Sequence, residues 1–445
     1  MHAGASRPVV VVVGGGFAGL TCVRGLRPSA VDVVLIDRRN HHLFQPLLYQ
    51  VATAALSPAQ IAHPLRSVLE SQRNARVLMG EVFKVDVSAR RVHVTLAGGE
   101  VREVSYDTLV LAAGLRHWYF GHDDWEARAP GLKSLADAIE VRRRFLIAFE
   151  RAEAKRSDDP SAEVSSELTF VVIGGGPTGV EMAGAFIEIA CQTMRPEFRS
   201  IDTSRARVVL IEAQKSLLPS GFPEELGVRA KRDLERLGVE VMLSTRVMGV
   251  ENDGVRVRHE GTSEDGWISA RTVVWAAGVR GERVAESLGI ELDRSGRVAV
   301  ESDLSLPGHR EVFVIGDLAS MVDRASGQPV PGMAPAAMQM GRFVASAITR
   351  ETRGRSRGEF RYHDKGSLAT IGRARAVARL PVPGSKRGMH FGGLLAWVLW
   401  ALVHVAYLIS YRAKVLVMLE WAWAYVWLTR GARILQQTTP PVSER

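Results

Sequence analysis

Apolar, strand-like runs and glycine-rich loops alternate along the first part of the chain. The β-branched run at 8–13 predicts a buried strand, and the glycine-rich stretch 14–19 follows it directly. The pattern at 20–26 then predicts a helix, and a second apolar strand at 31–36 ends in Asp37. Strands that alternate with helices in this way are typical of an α/β fold with a parallel sheet.

The same order of elements returns about 160 residues later in the sequence. The second copy consists of a strand at 168–173, a glycine loop at 174–179, a helix at 180–190 and a strand at 207–211 that ends in Glu212. The segment TLVLAAG at 108–114 also resembles TVVWAAG at 272–278. The repeat is a whole unit and not a short solenoid repeat, so two Rossmann-like dinucleotide-binding domains are predicted.

Each glycine loop has the residue types that a dinucleotide pyrophosphate needs. Glycines allow close approach of the backbone, and a helix N-terminus supplies free N–H donors and the positive end of the helix dipole. The first loop offers Gly14, Gly16 and Gly19, and Asp37 at the next strand end is an acceptor for ribose hydroxyls. A glycine-rich turn in an unrelated α/β protein is the alternative, and the second occurrence of the pattern argues against it.

The second loop, with Gly174, Gly176 and Gly179, meets the same tests. Its acidic partner Glu212 favours NADH over NADPH, because a carboxylate repels a 2′-phosphate. Lys215, three residues further on, could attract a 2′-phosphate and so favours NADPH. Two dinucleotide sites in one chain indicate a flavin paired with a nicotinamide, since hydride transfer needs the two rings stacked together.

Composition narrows the classes of function further. Hydrophobic residues make up 46% and charged residues 24% of the chain, which indicates a globular protein. The two cysteines, Cys22 and Cys191, exclude a disulfide scaffold, a cysteine-rich zinc module and a four-cysteine iron–sulfur site. His41 and His42 lack a third ligand at metal spacing, so no metal is predicted.

The net charge of +9 is concentrated in the last part of the chain. Residues 371–445 contain ten basic residues and two acidic ones, and they include the most apolar stretch of the sequence. This location favours an anionic lipid surface as the partner over nucleic acid.

The tail has two apolar runs, at 391–409 and 415–428, and the first contains no charged residue. Five of the nine tryptophans lie in this region, and tryptophan favours the headgroup level of a membrane. One helical face carries an aromatic and histidine stripe: Trp397, Trp400, His404, Tyr407 and Tyr411. The pattern favours two amphipathic helices lying in one leaflet. A single span over 391–409 and a buried helix pair at a dimer interface are the alternatives.

Three stretches resemble the type II NADH:quinone oxidoreductases, which belong to the flavoproteins with two dinucleotide-binding domains. They are NHHLFQPLLYQVAT at 40–53, GGGPTGVE at 174–181, and the tail from HFGGLLAW at 390–397 to Trp423. The resemblance covers nearly the whole chain. It implies that the first glycine loop holds FAD and the second holds NADH.

The implied fold is α/β with two Rossmann-like domains and a C-terminal amphipathic helical membrane anchor. The domains expected are an FAD-binding domain at 1–120 and 290–380, an NADH-binding domain at 121–289 and membrane-anchoring helices at 381–445. The residues expected at FAD are Gly14, Gly16, Phe17, Ala18, Gly19, Asp37, Arg38, Pro46, Val82, Ala113, Gly114, Gly316 and Asp317. Those expected at NADH are Gly174, Gly176, Pro177, Thr178, Gly179, Glu212, Ala277 and Gly278.

The resemblance also implies the residues that act on a quinone. Quinone reduction consumes two protons, and the family places the glutamate Glu181 near the flavin ring, so Glu181 is the candidate relay. Gln339 and Gln50 are the candidate polar residues of the quinone pocket. Many family members have two glutamines four residues apart, and here Pro335 replaces the first of them. The alternatives are that Glu181 only complements a helix dipole and that Gln339 is an ordinary polar helix residue.

The function implied is that of an FAD-dependent NADH dehydrogenase that passes electrons to a membrane quinone without pumping protons. The alternatives are a sulfide:quinone oxidoreductase, another NAD(P)H flavoprotein reductase and, from another class, a flavin-bound membrane sensor without turnover. Sulfide chemistry needs cysteines beside the flavin, whereas Cys22 lies within the helix predicted after the first glycine loop and Cys191 lies at the end of the helix predicted after the second. The expected location is peripheral, on the cytoplasmic face of the cell membrane, and a homodimer is left open.

Overall fold

A computed structural model describes residues 7–324, 326–382, 385–427 and 433–435. The chain divides into two units, and each is discontinuous in sequence. Unit 1 comprises Met1–Leu43, Ala62–His117 and Val279–Lys365, and unit 2 comprises Phe44–Ile61, Trp118–Gly278 and Gly366–Arg445. The assignment of FAD, NADH and membrane-anchoring roles to sequence domains stays a prediction.

The elements of the described residues are numbered in chain order. The first strands are β1 (Val9–Val13), β2 (Asp32–Asp37), β3 (His41–Leu43), β4 (Ala62–Pro64), β5 (Ala75–Asp86), β6 (Arg91–Leu96), β7 (Val101–Ser105), β8 (Thr108–Leu111), β9 (Leu115–His117), β10 (Thr169–Ile173), β11 (Arg207–Ile211) and β12 (Val239–Met242). The remaining strands are β13 (Thr245–Val250), β14 (Gly254–His259), β15 (Gly266–Ser269), β16 (Thr272–Trp275), β17 (Val279–Gly281), β18 (Val298–Ala299), β19 (Ser305–Leu306), β20 (His309–Val314), β21 (Ala319–Ser320), β22 (Ser367–Gly372), β23 (Arg375–Val382) and β24 (Ser385–Gly392).

The helices connect and cover these strands. They are α1 (Phe17–Gly25), α2 (Leu48–Ala52), α3 (Pro58–Ile61), α4 (Leu65–Val68), α5 (Leu135–Asp158), α6 (Pro177–Glu188), α7 (Glu224–Leu237), α8 (Ala334–Glu351), α9 (Leu394–Tyr407) and α10 (Tyr411–Trp427). Short 3₁₀ helices lie at Gln45–Leu47, Asp123–Trp125, Thr203–Arg205, Arg283–Leu288 and Gly316–Leu318, and a π-helical turn lies at Ile189–Thr193.

Unit 1 is built on an eight-stranded sheet with the order β19-β20-β8-β1-β2-β5-β6-β7. β1 pairs in parallel with β2 and β8, and β8 pairs in parallel with β20. The middle of β1 is fully buried, as expected for a parallel strand that is covered on both faces. α1 packs against α8, which completes this covering layer. The carboxyl ends of β1, β8 and β20 therefore meet at one edge of the sheet.

Unit 2 contains a second parallel sheet with the order β12-β11-β10-β16. Its longest helix, α5, begins with a capping box in which Ser134 and Asp137 satisfy each other's backbone N–H groups. Phe145 of α5 stacks on Phe186 of α6 with 4.5 Å between the ring centroids. This aromatic packing is the core that holds α6 in position.

In the C-terminal part of unit 2, the first helix begins later than the apolar run at 391–409 predicts. The antiparallel sheet β22-β23-β24 uses Phe391 and Gly392 as strand residues, so α9 begins only at Leu394. Gly393 separates strand from helix with a φ of 92°, a backbone conformation that glycine adopts without strain. Among the described helices, none combines the length and the apolar composition needed to cross a membrane.

Candidate functional site

The first glycine loop joins β1 to α1 and leaves the start of the helix open. Gly16 is the N-cap of α1, and no side chain caps the helix. A Cβ on Gly16 would meet no atom within 4 Å, whereas a Cβ on Gly19 would lie 1.9 Å from the carbonyl oxygen of Gly14. The helix N-terminus thus approaches the end of β1 closely and faces free space, which suits a pyrophosphate.

Asp37 at the end of β2 fixes the shape of this loop. Its Oδ2 accepts a hydrogen bond from the Gly15 N–H at 2.5 Å, and its Oδ1 accepts one from the Arg39 N–H at 2.7 Å. Each carboxylate oxygen has a second lone pair, so both can also accept from ribose hydroxyls. The predicted contact with a ribose stays a prediction, and the structure adds a role in holding the loop.

The second glycine loop, between β10 and α6, repeats this arrangement. A Cβ on Gly179 would lie 1.8 Å from the Gly174 carbonyl oxygen, and a Cβ on Gly176 would again meet nothing within 4 Å. Glu212 Oε2 accepts from the Gly175 N–H at 2.5 Å, and Oε1 accepts from the Gln214 N–H at 2.7 Å. Both units therefore contain a cradle that fits the pyrophosphate of a dinucleotide.

The other residues expected at the two nucleotides lie at several places in the units. In unit 1, Phe17 and Ala18 are in the first turn of α1, Arg38 follows β2, Val82 is on β5, Ala113 and Gly114 follow β8, and Gly316 and Asp317 follow β20. In unit 2, Pro46 is in a 3₁₀ helix, Pro177 and Thr178 are in the first turn of α6, and Ala277 and Gly278 follow β16. In each unit, adjacent parallel strands bring most of these residues to the sheet edge at which nucleotides bind in such folds.

A cavity of about 120 Å³ lies within unit 2. α2, α6, α9, α10 and the end of β22 line it. The lining residues include Tyr49, Gln50, Glu181, Glu188, Trp400 and Trp421. The structure therefore brings two of the predicted catalytic residues, Gln50 and Glu181, to one cavity.

Glu181 is a buried carboxyl group in the second turn of α6. Its Oε1 accepts a hydrogen bond from the Thr370 N–H at 3.4 Å. Burial raises the pKa of Glu181 to about 8, because desolvation disfavours the charged form. A carboxyl group with a pKa near 8 carries its proton at neutral pH and can donate it. The predicted role of Glu181 as a proton relay stays a prediction.

A chain of hydrogen-bonded polar and aromatic groups also lines the cavity. Trp421 Nε1 donates to Gln50 Oε1 at 2.7 Å, and Gln50 Nε2 donates to the Tyr49 hydroxyl at 2.9 Å. The Trp400 ring lies 5.2 Å from the Trp421 ring and 4.4 Å from the His404 ring, measured between centroids. Helices α9 and α10 thus contribute aromatic side chains to the same cavity as Gln50.

The His404 imidazole packs beside the Trp400 ring. Its Nδ1–H donates to the Trp400 carbonyl oxygen at 2.7 Å, and burial lowers its pKa to about 4. The imidazole is therefore neutral at physiological pH, as expected for a group that contributes to packing.

Gln339 lies in unit 1, on α8, with Pro335 in the first turn of that helix. Its Nε2 donates to the carbonyl oxygens of Pro335 and His363, at 3.2 and 3.0 Å, and its Oε1 accepts from the His363 N–H at 2.9 Å. The amide therefore ties α8 to the segment around His363. Its predicted contact with a quinone stays a prediction.

Sequence reasoning missed the second carboxylate of the cavity, Glu188. It lies on α6 seven residues after Glu181, with the small residue Ala185 between them. Polar residues at this spacing in an otherwise apolar helix fall on one face, which is the signal that the sequence offered.

Comparison with known families and proteins gives a consistent result. The profile of the pyridine nucleotide-disulphide oxidoreductase family matches residues 8–341, and that of the NDH2 C-terminal domain matches residues 364–427. The chain is 44% identical over 431 residues to the type II NADH:quinone oxidoreductase Ndh of Mycobacterium tuberculosis, covering 95% of this chain and 89% of that protein. It is 30% identical to the type II NADH:quinone oxidoreductase of Staphylococcus aureus, covering 85% of this chain and 92% of that protein.

Solved structures show the same fold at lower identity. A structure of NDH2 from Plasmodium falciparum in complex with NADH matches with a TM-score of 0.85 at 18% identity, covering 97% of this chain and all of that chain. The sulfide:quinone oxidoreductase of Aquifex aeolicus matches with a TM-score of 0.69 at 19% identity, covering 92% of each chain. Sequence identity over nearly the whole length decides between the two: the chain belongs to the type II NADH:quinone oxidoreductases, which are flavoproteins of the pyridine nucleotide-disulphide oxidoreductase family.

Proposed function

We propose that the protein oxidises NADH with the help of bound FAD and reduces a membrane quinone, without moving protons across a membrane. FAD supplies the chemistry that the side chains lack, since it accepts a hydride and passes on two electrons. The observation that carries the proposal is the cavity of unit 2, where a protonated carboxyl group and the helices of the tail meet.

The two glycine loops divide the nucleotides between the units. The loop of unit 1, with Asp37, binds FAD, and the loop of unit 2, with Glu212, binds NADH. Glu212 selects the unphosphorylated coenzyme because its carboxylate accepts from the ribose diol and repels a 2′-phosphate. The loops supply backbone N–H donors, so binding and orientation are the main contributions of both units.

The quinone headgroup binds in the cavity between Glu181 and the Tyr49–Gln50–Trp421 chain. The Gln50 and Tyr49 groups hydrogen-bond a quinone oxygen, and the Trp400 and Trp421 rings pack on the headgroup. Glu181 supplies a proton to the oxygen as electrons arrive, because its carboxyl group is held neutral by burial. The hydrocarbon tail leaves the cavity beside α9 and α10.

Neither cysteine of the chain has the reactive thiol that the alternative function, sulfide oxidation, requires. Cys22 is fully buried in α1, and burial raises its pKa to about 12. Burial also raises the pKa of the half-buried Cys191. Thiolates are the reactive form of cysteine, and neither environment favours one.

A spectrum of the purified protein tests the proposal. NADH is added without oxygen while the flavin absorbance is followed, and a short-chain menaquinone or ubiquinone is then added. Bleaching by NADH followed by recovery with quinone is the expected result. Bleaching without recovery removes the quinone from the proposal, and a flavin that NADH does not bleach removes NADH.

We also propose that α9 and α10 bind the protein to the anionic, cytoplasmic face of the cell membrane, where NADH is available. Apolar side chains of these helices are exposed: Leu394, Leu395, Val398, Leu402, Tyr407, Tyr411, Met418, Leu419 and Trp423. Arg412 and Lys414 lie among them and attract anionic lipid. The alternative is that a second copy of the chain packs on this surface in a homodimer.

Sedimentation with anionic vesicles tests this surface. Leu395 and Leu402 are 76% and 63% exposed, so changing both to Asp should release the protein from vesicles while FAD stays bound. Val228→Asp on α7, where the side chain is 61% exposed, is the matched control and should not release it. If the double variant stays on vesicles but changes from dimer to monomer, the surface is a dimer interface.

A further inference from the structure

Two carboxylates of α6 face the cavity of unit 2, and the function proposed above uses only one of them. Glu181 and Glu188 are seven residues apart, so they lie on one face of the helix about 10 Å apart along its axis. Ala185 lies between them on that face and lines the cavity as well. A methyl group at this position leaves room between the two carboxyl groups.

The end of β22 holds both carboxylates in place. Glu181 Oε1 accepts from the Thr370 N–H, and Glu188 Oε1 accepts from the Arg373 N–H at 2.5 Å. The space for the second carboxyl group depends on Gly372, because a Cβ there would lie 2.7 Å from Glu188 Oε1. Neighbouring backbone groups thus fix the two acids at the two ends of one stripe on α6, which consists of Glu181, Ala185 and Glu188.

The stripe runs from the buried interior of unit 2 to its surface. Glu181, Ala185 and Glu188 are buried, whereas Gln192, which also lines the cavity, is exposed. The π-helical turn Ile189–Thr193 begins directly after Glu188 and brings Gln192 and Thr193 to the cavity. Such wide turns are rare and are frequent at functional sites.

The cavity is suitable for water. A volume of about 120 Å³ has room for several water molecules, and polar groups on the stripe supply their hydrogen-bond partners. The other titratable groups that line it are Tyr49 from α2, Arg373 after β22 and Glu420 from α10. On the side of α7, the apolar Leu237 lies near Gly372.

The reaction requires one proton from solvent in each turnover. NADH, a proton and a quinone give NAD⁺ and a quinol, since the hydride brings two electrons and only one proton. We propose that Glu188 is the inlet for this proton: it takes a proton from solvent at Gln192 and passes it through water beside Ala185 to Glu181. The O–H bond of Glu181 breaks as the quinol O–H bond forms, and Glu188 then restores the proton on Glu181.

This inference rests on the proposed function. Stopped-flow measurement of the two half-reactions distinguishes a failure of the inference from a failure of the proposed function. In Glu188→Gln, the reduction of the flavin by NADH should stay unchanged, because hydride transfer needs no proton from this path. Reoxidation by a short-chain quinone should slow about tenfold, and more at pH 9 than at pH 6, because proton supply becomes limiting. Adding formate, a small acid that fits beside the amide, should restore much of the rate.

Three further variants accompany the substitution. Glu188→Asp keeps the carboxyl group and should keep most of the reoxidation rate. If the position needs only the shape of glutamate, Glu188→Asp should be no faster than Glu188→Gln. Glu225→Gln removes an exposed carboxylate on α7 and should change neither half-reaction. Ala185→Leu keeps both acids and fills the gap between them, so reoxidation should slow and formate should not restore it.

Three results would overturn the inference. The first is a Glu188→Gln protein whose reoxidation rate and pH profile match those of the unchanged protein. The second is slowing without rescue by formate or Asp, which indicates a structural role. If Glu188→Gln does not fold, normal reoxidation in Ala185→Leu is the third. A protein with native Glu188 that quinone fails to reoxidise instead overturns the proposed function itself.

Discussion

The two glycine loops are nearly identical in local structure although they lie in different units. The first glycine has a φ of 101° in one loop and 110° in the other, and its N–H donates to the end of the next strand in both. Asp37 and Glu212 each accept the N–H of the second glycine at 2.5 Å. The side chains differ in length by one methylene, yet the carboxylates reach the same backbone position. The two units therefore use the same loop conformation and the same carboxylate-to-backbone hydrogen bond.

The helices that follow the loops differ in what they face. Thr21 of α1 occupies the position of Glu181 in α6, and its hydroxyl donates to the Phe17 carbonyl oxygen at 2.6 Å, within its own helix. Gly25 stands at the position of Ala185 and lies against Ala345 of α8. α1 is thus covered by a neighbouring helix, while α6 lines a cavity with carboxyl groups. In the proposed function both loops bind nucleotides, and the side chains on the helix after the loop determine which unit also reduces the quinone.

The largest expected effects come from placing the same methyl group in both loops. Gly19→Ala and Gly179→Ala each push a Cβ against a backbone oxygen less than 2 Å away, so the helix start must move. Gly19→Ala should lose bound FAD almost completely. Gly179→Ala should keep FAD, but reduction by NADH should slow at least about a hundredfold. Flavin absorbance per protein and stopped-flow reduction measure the two effects.

Dithionite is the control for this pair of variants. It reduces flavin without a nucleotide site, so it should bleach Gly179→Ala at the normal rate. Loss of FAD from both variants would contradict the division of nucleotides between the two units.

The next largest effect separates the two helices. Glu181→Gln should slow reoxidation of the flavin by quinone about ten- to a hundredfold, while Thr21→Ala on α1 should leave both half-reactions unchanged. The pH profile gives the sign. Because the pKa of Glu181 is about 8, its donating form is present below pH 8 and is lost above it, so reoxidation by the unchanged protein should fall there. The fall should be absent in Glu181→Gln, and a fall that persists would assign the titration to another group.

Local chemistry explains what the sequence predicted and what it did not. The loops were predictable because glycine spacing, strand pattern and an acidic strand end all act within about 40 residues. The glutamate at 181 was chosen by resemblance, but Glu188, Gly372 and the Trp421–Gln50 hydrogen bond were not found. These join segments up to 371 residues apart, and only tertiary packing brings them together. The strand β24 was also missed, because its pairing with β23 outweighs the apolar pattern at Phe391.

Coenzyme choice is the next test of the likeness between the loops. Glu212→Gln should raise the KM for NADH about tenfold and narrow the preference over NADPH, because the charge that repels a 2′-phosphate is gone. Asp37→Asn makes the same change in the other loop and should weaken FAD binding without changing the preference. Steady-state rates with both coenzymes measure this. An unchanged preference in Glu212→Gln would show that the second loop does not bind the adenosine ribose.

A smaller effect is expected on stability, and it distinguishes a buried acid from an amide. The folded pKa of Glu181 lies above its ordinary value of 4.5, so the folded state binds more protons between pH 4.5 and 8. The free energy of unfolding therefore falls as the pH rises through this range. Glu181→Gln has no such proton, so its Tm should exceed that of the unchanged protein by several degrees at pH 8 and by less at pH 5. Equal differences at both pH values would contradict the raised pKa.

The smallest kinetic effect is expected at Gln339, although the sequence resemblance assigned it to the quinone. All three of its hydrogen bonds go to the backbone of Pro335 and His363, within unit 1. Gln339→Ala leaves those backbone groups with water, so we expect a loss of about 1–3 kcal/mol in the free energy of unfolding. Quinone reoxidation should change by less than about threefold, since a group already engaged in three bonds gives little to a ligand. Urea unfolding and stopped-flow reoxidation measure the two quantities on the same variant. Normal stability with slow reoxidation would return Gln339 to the quinone site and would mean that its amide exchanges the His363 backbone for the quinone oxygen.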